Sequence, residues 1–214
     1  MTESAPSTLV CFAVREEARP FQQIVSGGNI RVLVTGMGKR NAEASLRKSI
    51  DAARPARVLS CGFAGGLDPA LKLGTILFAV ENIGELENAL RAAGAQPGKF
   101  HCSDRVAATA AEKHALRERT GADAVEMESA VMGAVSREAG IPFATVRVIL
   151  DTAGEDLPLD FNKLMTRRDT LSYPKLAGAL VASPGKIGAL MRFQKKTQAA
   201  AEALAGVLEK TLLV

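Results

Sequence analysis

The sequence predicts an α/β protein: a largely parallel sheet sandwiched between helices. Short β-branched runs alternate along the chain with longer Ala-rich segments of helical spacing, which is the α/β pattern. The apolar runs are continuous rather than alternating, so each strand is expected to be covered on both faces. The chain has 214 residues, 47% of them hydrophobic, and shows no internal repeat, low-complexity tract or linker. Residues 1–214 are therefore read as a single domain with enough apolar mass for a sizeable core.

Taken in order, the expected strands are STLVCFAV (7–14), IRVLVT (30–35), ARVLSC (56–61), TILFAV (75–80), ADAVE (122–126) and FATVRVIL (143–150). The expected helices occupy 15–25, 39–53, 106–119, 127–139 and 185–212, with a shorter one near 173–181.

Composition narrows the function classes. The N-terminus MTESAPSTLVCFAV lacks a basic leader, and no run approaches the roughly 20 apolar residues that span a bilayer. A soluble, cytoplasmic protein is expected. Cys11, Cys61 and Cys102 are widely spaced without a C-x-x-C pair, so they read as buried thiols, neither a disulfide framework nor a zinc site. His101 and His114 have no metal-ligand spacing, so no metal is expected. A net charge of +4 with 4% aromatic residues argues against a nucleic-acid partner, because such binders cluster cations and add stacking rings. The basic tract KIGALMRFQKK (186–196) reads first as a solvated helix face. It also leaves contact with a membrane surface open.

Ligands of open α/β sheets bind at the carboxyl ends of strands, so the residues following each strand are the candidates for function. These are REEAR (15–19), GMGKR (36–40), GFAGG (62–66), MES (127–129) and DTAGED (151–156). The two glycine-rich stretches read either as tight strand-to-helix turns or as backbone nests for an anion, with Lys39 and Arg40 adding positive charge. Neither fits the P-loop or dinucleotide fingerprint, which counts against a nucleotide-dependent oxidoreductase. On a helix starting near Met127, positions 128, 131, 132 and 135 share one face, so Glu128 heads an apolar stripe. A carboxylate there needs a compensating partner: a ligand, the helix N-terminus, or Arg147 inside its apolar strand. Asp151 closes the strongest strand and reads alone as a turn or capping residue as well as an acid.

In order and spacing, GMGKRNA, CGFAGGLDPALKLGTI, AVEMESAVMGAV and IPFATVRVILD resemble the purine nucleoside phosphorylase and nucleosidase superfamily, including the 5'-methylthioadenosine/S-adenosylhomocysteine nucleosidases. The resemblance covers roughly residues 8–152. EEAR, AGGLDPAL and LAGALVASPGKIGALMRFQKKTQAAAEAL resemble a narrower branch, the hopanoid-associated phosphorylases, which act on an adenosyl-lipid. The resemblance implies a three-layer α/β/α sandwich with a mixed, largely parallel central sheet, commonly homo-oligomeric. It implies cleavage of a purine nucleoside at the N-glycosidic bond.

The roles it implies fit the chemistry of a sugar cation, which needs held hydroxyls, nearby negative charge and a protonated leaving base. Glu128 matches the ribose-binding glutamate, with Glu126 beside it, and Met127 matches the methionine beneath the sugar. Asp151 matches the acid that protonates the base. Glu17 matches the glutamate that activates water, whereas Arg19 reads as a phosphate holder, so water and phosphate both stand as nucleophile. Gly65 and Gly66 would contact base or anion, and Gly38 the neighbouring edge. No cofactor is implied beyond phosphate as a co-substrate.

Three departures qualify the match. Phe63 and Leu150 stand where nucleosidases carry serines. Residues 81–104 look abbreviated, which implies either a base pocket completed by a neighbouring subunit or a nucleoside-binding member without turnover.

Overall fold

The computed structural model describes residues 7–25, 28–81, 83–164, 166, 185 and 187–213. The chain runs β1 (Thr8–Phe12), α1 (Arg15–Ile24), β2 (Ile30–Val34), α2 (Lys39–Ala52), β3 (Arg57–Gly66), β4 (Ile76–Glu81), α3 (Gly84–Ala92), β5 (Gln96–Pro97), β6 (Phe100–Cys102), α4 (Ala110–Thr120), β7 (Ala124–Glu126), α5 (Ser129–Glu138), β8 (Phe143–Asp151), α6 (Phe161–Leu164) and α7 (Ile187–Leu212). The helix expected near 173–181 lies outside the described residues.

The strands form one mixed sheet in the order β2-β1-β3-β8-β4-β5, with β7 pairing the far end of β3 and β6 pairing β7. The pairings β1/β2, β1/β3, β3/β8, β4/β5 and β6/β7 are parallel; β4/β8 and β3/β7 are antiparallel. Side chains alternate between the two faces of the sheet, as the pleat requires, and both faces of β1 and β8 are buried. Val10, Phe12, Leu59, Cys61, Val146 and Val148 face one side, where Phe21 of α1, Leu90 of α3 and Leu204 and Leu208 of α7 cover them. Leu9, Cys11, Val58 and Phe143 face the other, under Ala42 and Leu46 of α2 and Met132 and Val135 of α5. Helices on both faces make the expected three layers, and they account for the continuous apolar runs.

Several boundaries differ from expectation for local reasons. β3 does not end at Cys61 but continues through GFAGG to Gly66, so this stretch is extended strand and not a turn. It stays paired because β8 lies alongside through Gly65 and β7 closes on Gly65 and Gly66. α4 starts at Ala110 and not at 106 because Thr109 caps it: its Oγ1 accepts from Glu112 N at 3.2 Å, and the Glu112 side chain reaches back. α5 starts at Ser129, leaving Glu128 at the cap position ahead of the apolar stripe. Residues 81–104, which look abbreviated in the sequence, fold into α3 and the short strands β5 and β6.

Candidate functional site

At the carboxyl ends of β1, β3 and β8 lies a cavity of about 310 Å³. Its wall includes Glu17, Met37, Phe63, Gly65, Met127, Glu128 and Asp151. The acids at its rim are each held by a different structural device.

Glu17 is positioned by the start of α1. As the third helical residue it reaches back to the chain entering the helix, and its Oε2 accepts from Ala13 N at 3.0 Å and Val14 N at 3.2 Å. Its Oε1 accepts from Phe63 N at 2.9 Å, tying the helix start to β3. This arrangement depends on Gly62, where a Cβ would lie 2.6 Å from Glu17 Oε1. Burial pushes the carboxyl up to about 7, against the Phe63 and Val14 N–H groups and the field of Arg147; the charge of Glu128 adds to the rise.

Glu126 and Glu128, two residues apart, have opposite roles. Glu126 accepts from Glu128 N at 2.9 Å, Ser129 N at 2.8 Å and Ser129 Oγ at 2.7 Å, and from the Arg147 guanidinium at 2.9 Å. A carboxylate has about four good acceptor positions, so this one is saturated. Burial drives its pKa up, but Arg147 and the Ser129 hydrogen bonds outweigh that and hold it below the ordinary value. Glu126, expected to bind substrate, also lines the cavity, but its carboxylate is engaged by the start of α5 and by Arg147. Glu128 is freer. Its Oε1 accepts from Gly38 N at 2.9 Å, and its Oε2 stands 4.0 Å from Arg147. Burial raises its pKa above the ordinary value despite Arg147 and Gly38.

Asp151, 8% exposed, ends β8 at the opposite wall. Gly65 gives it room, since a Cβ there would lie 3.4 Å from Asp151 Oδ2. The side chain is in ion-pair contact with Lys113 of α4, whose own side chain is fully buried. Burial raises the Asp151 pKa, and Lys113 only partly offsets this.

The remaining expected residues divide clearly. Met127, Phe63 and Gly65 line the cavity. Gly38 stands behind Glu128 as its hydrogen-bond donor, and Gly66 packs against the backbone of Asp151, where a Cβ would meet the Asp151 carbonyl at 3.3 Å. Arg19 is exposed and outside the lining. Two residues beyond Glu17 on a helix, it is turned about 200° away, which corrects the expectation that it holds a phosphate here. Within GFAGG, Gly62 therefore clears space for the Glu17 carboxylate, and the whole stretch is paired strand.

Sequence reasoning missed Lys113 altogether, since a lysine among AAEKHALRERT carries no signal of burial. It also missed the wall made by Leu157 and Phe161, and the part that Phe193 of α7 takes in it. Phe161 and Phe193 stack with ring centroids 5.6 Å apart.

The layered sheet with its cavity at the strand ends has the architecture of the nucleoside phosphorylase/hydrolase fold. The chain matches the phosphorylase superfamily model over residues 8–94 and 83–212, and it belongs to that superfamily. It is 25% identical over 178 residues to a 5'-methylthioadenosine/S-adenosylhomocysteine nucleosidase of Anoxybacillus flavithermus, covering 67% of this chain and 76% of that one. The structure is similar to futalosine hydrolase of Helicobacter pylori, with a TM-score of 0.72, 19% identity and 97% of each chain covered. It is also similar to the Campylobacter jejuni 5'-methylthioadenosine/S-adenosylhomocysteine nucleosidase, with a TM-score of 0.71, 18% identity, and 97% and 98% coverage.

Proposed function

We propose that the protein is an enzyme that cleaves the N-glycosidic bond of a purine, adenine-type nucleoside, with water as the nucleophile. The observation that carries this reading is the convergence of Glu17, Glu128 and Asp151 on one cavity at the strand ends. In the proposed reaction Glu128 accepts hydrogen bonds from the ribose hydroxyls, with Met127 against the sugar. Asp151 gives a proton to a ring nitrogen of the departing base. Glu17 takes a proton from the attacking water. A base needs a pKa near the working pH, and burial brings the Glu17 carboxyl to about 7.

Water is favoured over phosphate by the charge of the wall. Arg19 faces away, Arg147 is committed to Glu126, and Arg105, which does line the cavity, is ion-paired with Glu112. Acids next to an anionic nucleophile would repel it. No cofactor enters this scheme.

The finer substrate reading is an adenosyl-lipid. Val14, Val106, Leu150, Leu157, Phe161 and Phe193 make much of the wall apolar, which suits an apolar group on the sugar. No described helix is long and apolar enough to cross a membrane. The exposed Met191, Arg192 and Lys195 on α7 fit contact with a membrane surface. Homo-oligomerisation belongs to the same proposal and is read by analytical ultracentrifugation.

The test is release of free base from adenosine, methylthioadenosine and an adenosyl-lipid, each with and without phosphate. Release without phosphate, lost in Asp151→Asn by roughly 10²- to 10⁴-fold, is the expected result. Strict dependence on phosphate makes the reaction phosphorolysis. Absence of release from any substrate leaves a nucleoside-binding role.

A further inference from the structure

Lys113 is a residue that the proposed reaction does not use and that packing does not require. It is the buried residue of α4, its side chain has no exposure, and the helix around it is polar. Helix–loop packing alone would be served by leucine or methionine at this position, with no ammonium to desolvate.

The Lys113 Nζ donates to the backbone carbonyls of Thr152 at 2.8 Å and Glu155 at 2.6 Å, the turn directly after β8. Its remaining contact is the ion pair with Asp151 Oδ2, an oxygen that otherwise finds no hydrogen-bond donor. An ammonium has three N–H groups, so two carbonyls and one carboxylate account for all of them. The two carbonyls fix the nitrogen, and the nitrogen fixes the carboxylate.

Resting on the glycosidic reading above, we infer that Lys113 is a positioning residue that acts through Asp151. It anchors the carboxyl at the cavity wall and supplies the countercharge for the anion left when the proton has gone to the base. In that step the C1'–N bond breaks and its electron pair goes to the base, which takes the Asp151 proton on a second ring nitrogen, N7 of a purine. Water forms the new C1'–O bond and loses its proton to Glu17. Asp151 then stands as a carboxylate against the Lys113 ammonium until solvent returns the proton.

The charged groups facing Asp151 are Lys113 from α4, Glu155 from the turn, and Lys196 from α7, which holds Glu155 at 2.6 Å. Glu155 and Lys196 therefore compensate each other, and Lys113 is the cation that acts on Asp151 most strongly. Burial raises the Asp151 pKa and Lys113 opposes the rise, so removing the lysine shifts the pKa further up.

The experiment compares wild type with Lys113→Met on two substrates in phosphate-free buffer. Adenosine needs its base protonated to leave, whereas 4-nitrophenyl β-D-ribofuranoside releases a nitrophenolate that does not. The expected result is a fall of about 100-fold in kcat on adenosine and less than about threefold on the nitrophenyl riboside. The basic limb of the adenosine pH profile moves up. A merely structural lysine would lower both activities by the same factor and leave that limb in place, and either result overturns the inference. The double variant Asp151→Asn/Lys113→Met removes both buried charges, and so tests the same point in a core with no ion left unpaired. It should match Asp151→Asn alone on adenosine within about threefold, and a further large loss also overturns the inference. If wild type does not cleave adenosine, the comparison is made on whichever of methylthioadenosine and the adenosyl-lipid releases base; if none of the three does, the glycosidic reading itself fails and takes this inference with it.

Discussion

Two buried cations, Arg147 and Lys113, stand behind the acids of the cavity, and they compensate those acids in different ways. Arg147 lies among Glu17, Glu126 and Glu128, but it touches only Glu126 closely, at 2.9 Å, and stands 4.0 Å from Glu128. Burial pushes Glu17 and Glu128 towards holding a proton, and the one guanidinium, paired closely with Glu126, does not offset it. Lys113 meets a single acid, Asp151, and divides its other donors between backbone carbonyls. A shared cation thus leaves two acids without a close partner at the cavity, whereas a dedicated cation fixes the position of a single acid.

Removing the shared cation should have the largest effect. Arg147→Met leaves Glu126 buried without its partner, with an expected loss of about 3 to 5 kcal/mol in chemical denaturation. If the loss is below about 1 kcal/mol, Glu126 is held by its Ser129 contacts alone.

Glu17→Gln sharpens the same wall. Activity in wild type should rise as pH passes through about 7, because a base must lose its proton to work. Stability should move the opposite way. With a folded pKa of about 7 above an ordinary 4.5, the native state holds more protons between those values, so stability falls as pH rises through that window. The span is on the order of 3 kcal/mol. Glu17→Gln should abolish the activity limb and flatten the stability slope, and an unchanged slope would exclude Glu17 as the titrating group.

Gly62→Ala perturbs Glu17 without replacing it, because the new Cβ falls 2.6 Å from Glu17 Oε1 and the φ of 151° is one that side chains rarely adopt. A cost of about 1 to 3 kcal/mol is expected, together with a loss of activity that exceeds the loss of folded protein. The smallest effect belongs to Arg19→Ala, which should stay within about 0.5 kcal/mol in stability and leave turnover in place. A strong rise in KM for a phosphate co-substrate in that variant would restore Arg19 to the site.

The acids were legible in the sequence because each follows an apolar strand or precedes a helix, and the sheet rule sends such positions to one edge. Glu128 was found in this way, as an acid leading an apolar stripe, even though the helix itself begins one residue later. The apparent equivalence of Glu126 and Glu128 could not be resolved, since it depends on Arg147, 21 positions from Glu126, and on Gly38, 90 positions from Glu128. The glycines of GFAGG are visible in the sequence, but the two readings open there, a tight turn and an anion nest, both end the strand at Cys61, whereas it continues to Gly66. What distinguishes a turn from a strand there is pairing with β7 and β8, which lie far along the chain.

By itself the sequence determined the alternation of strands and helices, the two-sided burial of the sheet and the edge where acids collect, because periodicity and capping are local properties. Tertiary structure alone decided which carboxylate is held charged by a close cation and which are pushed towards holding a proton at the cavity. Desolvation and ion pairing depend on what the rest of the chain brings within a few ångströms. No spacing along α4 reveals that Lys113 is fully buried beside Asp151.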